Sequence, residues 1–298
     1  MKVVIPMAGK GERFKQYFVP KPLIEVDSRY MIEYIIDCFP IDTEFIFICF
    51  EEHLLDTGMK RVLMELRSNA IIVSVKDTKG PAHTASNALE YIGDDEQVFV
   101  SYCDFIQIWN YRDFLDNVRE KNADGAIMNF IGFHPAFLQE TLYAYSKVKD
   151  GFVTKIQEKE RFSDDKMGDY ASTGMFYYRS GKIFKDYIQR LVSNDDLRIN
   201  GEYYISTSFS MMIEDKLKIM NHEIGEFICL GTPRDYELYR FWSDFFRRYL
   251  SSSHKYDIQK KMVFQIDEMV PVAFTASGNE FLYWQNYFDR CLVHPYQK

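Results

Sequence analysis

The sequence predicts an α/β fold: a Rossmann-like, mostly parallel sheet with helices on both faces, a smaller β-rich part and a C-terminal helical extension. Three observations carry that prediction. Strand-like and helix-like segments alternate through the first half, which calls for right-handed crossovers between parallel strands. Near Leu142 the texture changes to hairpin-like segments, and beyond Gly231 a regular helical spacing takes over. The chain has 298 residues, 47% hydrophobic and 27% charged, which suits one large domain with an appendage.

Element by element, residues 2–7 form an apolar run closed by Ala8-Gly9, as in a buried strand. Residues 30–39 have helical spacing through Met31, Ile35 and Cys38. There follow a strand at 44–50, a helix over 51–66 broken near Gly58, a strand at 70–75 and a helix at 82–92. A strand at 97–102, a helix at 111–122 and a strand at 125–131 complete the first half. Ligands of such sheets sit beyond the carboxyl ends of the strands, so the loops 8–22, 78–82 and 103–110 are where chemistry is expected.

Residues 142–149 and 152–157 flank Asp150-Gly151, a strong hairpin turn. A strand at 170–178, helices at 181–192 and 203–214, and strands at 217–222 and 227–230 follow, with no proline- or serine-rich linker. Leu238, Phe241, Trp242, Phe245, Phe246 and Tyr249 then mark one face of an amphipathic helix, with Arg240, Asp244, Arg247 and Arg248 opposite. It is expected to pack on its own domain; a homodimer contact through residues 236–250 is the alternative. Residues 262–274 read as a strand without an assigned role. The division expected is a catalytic part at 1–235, split near 135, and an extension at 236–298.

Composition narrows the function. Lys plus Arg is 36 against 44 Asp plus Glu, a net charge of −8 without basic runs, which speaks against nucleic acid and membrane surfaces as partners. The 25 Phe, 21 Tyr and 3 Trp suffice to fill a core and still line a pocket. The five cysteines (Cys38, Cys49, Cys103, Cys229, Cys291) are odd in number and widely spaced, a poor disulfide framework or zinc cluster. The apolar run at 3–8 is short for a signal peptide, and no segment reaches the ~18 apolar residues of a membrane helix. A cytoplasmic protein is expected. The six histidines (His53, His83, His134, His222, His254, His294) are scattered and form no His–carboxylate constellation.

The most informative stretch is Met7-Ala-Gly-Lys-Gly-Glu-Arg-Phe14, continuing to Val19-Pro-Lys-Pro-Leu23. Gly9 and Gly11 let backbone N–H groups turn toward an anion without Cβ obstruction. From Ala8 to Pro22 there are four cations (Lys10, Arg13, Lys15, Lys21) and one anion (Glu12), a local charge of +3 that suits a polyphosphate. The stretch is not GxxxxGK[ST], and Phe14 stands where a dinucleotide fingerprint needs its third glycine. Pro20 and Pro22 keep the chain extended there.

A strand, then GxGxRF, then Pro-Lys-Pro-Leu about ten residues on together resemble the signature of the sugar-phosphate nucleotidyltransferases, over about residues 1–240. The resemblance implies transfer of NMP from a nucleoside triphosphate to a phosphorylated acceptor, foremost a sugar 1-phosphate, with release of pyrophosphate, toward cell-surface polysaccharide precursors. It implies that Ala8, Gly9, Lys10 and Gly11 wrap the phosphates, that Arg13 and Lys21 neutralise charge during transfer, and that Asp104 is catalytic and binds Mg²⁺. Gly80, Pro81 and Ala82 look like the nucleobase turn that opens a helix. Glu158 and Lys159 resemble the pair that meets acceptor hydroxyls and phosphate, with Thr173, Gly174 and Glu202 as further acceptor contacts.

One position departs from the family. Its Asp-x-Gly-Thr supplies a second metal ligand, but here Cys229 precedes Leu230-Gly231-Thr232, and a neutral thiol is a poor Mg²⁺ ligand. Glu226 is a substitute only if its strand is bulged. This departure keeps open a non-catalytic nucleotide-sugar-binding regulator. A glycosyltransferase would want Asp-x-Asp, whereas Cys103-Asp104-Phe105-Ile106 offers one acid.

Overall fold

The computed structural model describes residues 1–138, 143–165, 167–251 and 278–293. Strand β1 (Lys2–Met7) leads into two 3-10 turns (Glu12–Tyr17 and Lys21–Leu23) and the short pair β2 (Glu25–Val26) and β3 (Arg29–Tyr30). Helix α1 (Met31–Ile36), β4 (Glu44–Phe50), α2 (Glu51–Asp56), α3 (Met59–Leu66) and β5 (Ile71–Val75) follow. The predicted break between α2 and α3 falls at Gly58, whose φ of 69° takes the chain out of helix. Next come α4 (Pro81–Ala85), a 3-10 turn at Ser86–Tyr91, β6 (Val98–Ser101), β7 (Phe105–Ile108), α5 (Tyr111–Glu120) and β8 (Gly125–Phe130).

The second half runs β9 (Ala144–Lys149), β10 (Phe152–Glu158), β11 (Tyr170–Tyr178), α6 (Gly181–Val192), α7 (Ile205–Glu214), β12 (Ile219–Glu223) and β13 (Glu226–Cys229). Helices α8 (Pro233–Ser251) and α9 (Gly278–Val293) close the described chain. Asp150 and Gly151 have φ of 52° and 78°, the left-handed pair a tight hairpin needs. The strand expected at 262–274 lies outside the described residues. No helix among the described residues is long and apolar enough to cross a membrane.

Nine strands form one sheet in the order β5-β4-β1-β6-β11-β8-β12-β10-β9. The first four are parallel to one another, as are β8 and β12. Strand β11 enters antiparallel between β6 and β8, and β9–β10 is an antiparallel hairpin. The strands β5, β4, β1 and β6 thus form a parallel block, while β9, β10 and β11 enter the same sheet through antiparallel pairings. Segment 103–110, read from sequence as loop, contains β7, which pairs with β13 in a separate ladder.

Alternation along the strands divides the core. Val3, Ile5 and Met7 pack on one face of the sheet with Phe45 and Phe47; Val4, Ile46 and Ile48 pack on the other. A third cluster joins Tyr236, Tyr239, Trp242 and Phe246 of α8 to Phe14, Ile24, Met31 and Tyr34, with Trp284 and Phe288 of α9 closing it. Leu238, Trp242 and Phe246 of the α8 stripe are therefore covered by the same chain.

Candidate active site

A cleft of about 510 Å³ opens at the carboxyl ends of β1 and β6, between the Gly-rich loop and the start of β11. Gly9, Gly11 and Arg13 line it. Gly11 has a φ of +66°, and a Cβ at Gly9 or Gly11 would meet nothing within 4 Å, so both are open to a ligand. Ala8 is buried in the core, and Lys10 is exposed with its ammonium 5.6 Å over the Phe50 ring; neither lines the cleft.

Lys21 and Asp104 meet. The Lys21 ammonium donates to Asp104 Oδ2 at 2.6 Å and to the Gly231 carbonyl at 2.7 Å, 4.7 Å over the Phe14 ring. Asp104 stands just past β6, and its carbonyl accepts the Leu230 N–H at 2.8 Å, which joins the end of β13 to the end of β6. Residues 83 and 210 positions away from Lys21 in sequence thus share one ammonium.

On the other wall, Glu158 ends β10 and accepts from Ser206 Oγ at 2.6 Å. Burial pushes its carboxyl up to about 7, against the opposing pull of Ser206 and Lys159. Lys159 follows at a left-handed φ of 59°, which turns its ammonium to the Tyr204 hydroxyl, 4.5 Å over that ring. Tyr204 in turn donates to Glu202. Burial and the bond to Glu202 raise the Tyr204 phenol, and the charge of Arg13 opposes them, so the two walls interact electrostatically.

Thr173 is 4% exposed, lines the cleft, and its Oγ1 has no hydrogen-bond partner in the protein. Gly174, at φ +94°, sits where the β11–β8 register slips between Ser172 and Phe176; a Cβ there would lie 2.7 Å from Tyr102 Cδ2. Gly80, Pro81 and Ala82 do not line the cleft. They clasp Tyr203: Ala82 N–H donates to its carbonyl at 2.9 Å, and its N–H donates to the Lys79 carbonyl at 2.8 Å.

Cys229 lies beside this centre, where Sγ donates to Asp235 Oδ2 at 3.6 Å and accepts the Gly231 N–H at 3.3 Å. Burial drives the thiol well above its ordinary value and also raises Asp235. The sequence reading assigned Asp235 no role. Its signal was the Thr232-x-x-Asp235 capping pattern, and Asp235 does accept the Thr232 N–H at 3.1 Å and Oγ1 at 2.6 Å. Glu226 is not a substitute ligand. The β13–β7 register is unbroken, with Glu226 opposite Ile108 and Cys229 opposite Phe105, so Glu226 sits at the far end of the ladder from Asp104. Ser206 carries no signal in the sequence, because only the fold brings α7 against β10.

Among the described residues no three His, Cys, Asp or Glu side chains converge into a metal cage. Asp104, with Asp235 nearby in the same cleft, still fits a hard cation that takes one or two carboxylates and completes its shell with phosphate oxygens and water.

Residues 3–150 match the MobA-like NTP transferase domain. The bifunctional protein GlmU of Clostridioides difficile (strain 630) is 25% identical over 225 residues, covering 73% of this chain; the match takes in 45% of that protein, so the chain spans about half its length. A nucleoside-diphosphate-sugar pyrophosphorylase from Vibrio cholerae RC9 superposes with a TM-score of 0.65 at 21% identity, over 80% of this chain and 98% of that one. A UDP-glucose pyrophosphorylase solved with UDP-glucose gives 0.63 at 15%, over 82% and 98%. The inositol-1-phosphate CTP transferase of T. maritima gives 0.59 at 13%, over 80% and 94%. Over its first half the chain is similar to the MobA-like NTP transferase domain, and it has the fold of the nucleotide-sugar pyrophosphorylases.

Proposed function

We propose that this chain transfers NMP from a nucleoside triphosphate to a sugar 1-phosphate, releasing pyrophosphate, and so supplies an activated sugar for cell-surface polymers. The observation that carries the reading is one cleft holding Gly11, Arg13, Lys21 and Asp104 on one wall and Glu158, Lys159, Thr173 and Glu202 on the other. The acceptor's phosphate is already anionic near neutral pH, so its oxygen needs no general base. That oxygen attacks the α-phosphorus in line, the bond from the α-phosphorus to its bridging oxygen breaks, and pyrophosphate leaves with the electron pair.

In this reading Arg13 and Lys21 neutralise charge building on the leaving group, and Lys159 holds the acceptor phosphate. Asp104 would hold Mg²⁺, which supplies charge neutralisation on the phosphates. Lys21, held here by Asp104 and the Gly231 carbonyl, lines the same cleft and would turn its ammonium to the phosphates. Glu158, Glu202 and the unpartnered Thr173 Oγ1 offer hydrogen bonds to acceptor hydroxyls. Free thiols at Cys38, Cys49, Cys103 and Cys229 accord with a cytoplasmic place of work.

The test is a pyrophosphate-release assay with Mg²⁺, single nucleoside triphosphates and a panel of sugar 1-phosphates. Lys21→Ala and Asp104→Ala are each expected to lower kcat/KM about 100-fold or more while the protein stays folded by circular dichroism. Tight binding of a nucleotide-sugar with no turnover on any pair would favour the regulator instead.

A further inference from the structure

The segment that carries Arg13 has few ties of its own. Backbone bonds from the Phe14 and Phe18 N–H groups stay inside it, to the Gly11 carbonyl at 2.8 Å and the Lys15 carbonyl at 3.2 Å. Its outward anchors include two rings. Phe14, 2% exposed, joins the third core cluster, and Tyr17 lies 5.6 Å from it. Tyr17 meets Tyr236 of α8 edge-on at 5.2 Å and donates its hydroxyl to Glu237 Oε1 at 2.5 Å. Directly after Tyr17 the chain reverses through Phe18, which is held at φ 56° and left 92% exposed.

Helix α8 is a firm post for these contacts. Tyr236 donates to the Glu25 carbonyl at 2.8 Å, while Tyr239, Ser243 and Arg247 all reach Asp27, at 2.6, 2.8 and 2.9 Å. It also lies beyond the residues that match the transferase domain.

We propose that α8 latches the phosphate-facing loop through Tyr17, Tyr236 and Glu237, so that Tyr17 and Glu237 are positioning residues for Arg13. The proposal rests on reading the cleft as a polyphosphate site. A guanidinium that must meet a phosphate gains from a fixed backbone, because a misplacement of about 1 Å can reduce catalysis by up to ~100-fold. The Tyr17–Glu237 bond adds a directed tie to the ring contacts of Tyr17 with Phe14 and Tyr236.

The experiment uses the full chain with Mg²⁺ and inorganic pyrophosphate as the probe, read by calorimetry, together with amide hydrogen exchange of residues 11–18 in ligand-free protein. Glu237→Ala is expected to weaken pyrophosphate binding about tenfold and to speed exchange at Phe14 and Phe18. Glu237→Gln, whose amide oxygen still accepts from Tyr17, should restore both. Tyr17→Phe, which keeps the ring packing, should act like the alanine variant and serves if Glu237→Ala fails to fold. Unchanged exchange in Glu237→Ala and Tyr17→Phe, with pyrophosphate bound as in the wild type, overturns the latch. Faster exchange in a protein that never binds pyrophosphate removes the polyphosphate reading and leaves the latch as the loop's anchor.

Discussion

Glu158 shows how burial gives one side chain a pH response. Its carboxyl is raised to about 7 by burial, so the folded state holds its proton more tightly than the unfolded chain does. The sign follows: its contribution to stability is complete below about pH 4.5 and is lost as pH rises through about 7. The size is on the order of 3 kcal/mol. Urea unfolding at pH 5 and pH 8 should show that slope in the wild type and lose it in Glu158→Gln. Equal slopes in the two proteins would mean that Glu158 ionises freely in the fold. Cys229 teaches the complementary lesson. A buried neutral thiol beside a raised Asp235 forms a hydrogen-bonded pair in the lining of the cleft.

At the scale of elements, two glycines are required by approach rather than by turn type. Gly80 lies at φ +105°, and a Cβ there would come within 2.7 Å of the Tyr203 N and 2.8 Å of its carbonyl oxygen. The turn before α4 is therefore pressed against the segment that carries Glu202 and Tyr204, which ties the first half of the chain to the second. Gly80→Ala should destabilise the protein by roughly 2 kcal/mol or more, seen as a lowered melting temperature, since both strain and overlap act. Gly9→Ala, where a Cβ meets nothing, should stay within about 0.5 kcal/mol of the wild type. If the two variants melted alike, the clasp on Tyr203 would not be holding the halves together. The turn's resemblance to a nucleobase element was legible in Gly80-Pro81-Ala82; its partner Tyr203 was not, because the contact joins segments more than a hundred residues apart in sequence.

For the whole molecule, the third core decides how the C-terminal segment is used. Trp242 is 1% exposed and stacks on Phe246 at 5.7 Å, while Phe246 stacks on Phe288 of α9 at 5.5 Å. Trp242→Ala removes a large buried ring that neighbours cannot refill, so a loss of about 3–5 kcal/mol is expected in urea unfolding. A loss below about 1 kcal/mol would mean that the cluster does not support the catalytic body. The amphipathic spacing of residues 238–249 was readable from sequence, but the identity of the surface it covers was not. Helical periodicity states that a face is buried and is silent on what buries it.

Local sequence dictates the alternating elements of the first half, the Asp150-Gly151 hairpin, and the basic Gly-rich loop with Arg13 and Lys21. Each is a local property: burial periodicity, turn chemistry, or charge set against a contrasting background. Only the assembled fold sets β11 antiparallel between two parallel blocks, places Glu226 at the far end of the β13 ladder while Asp235 bonds Cys229, and aims Lys159 at Tyr204, which bonds Glu202. Strand order and register depend on which distant surfaces bury one another. Those long-range choices, rather than local spacing, set the distances at which charges meet in the cleft.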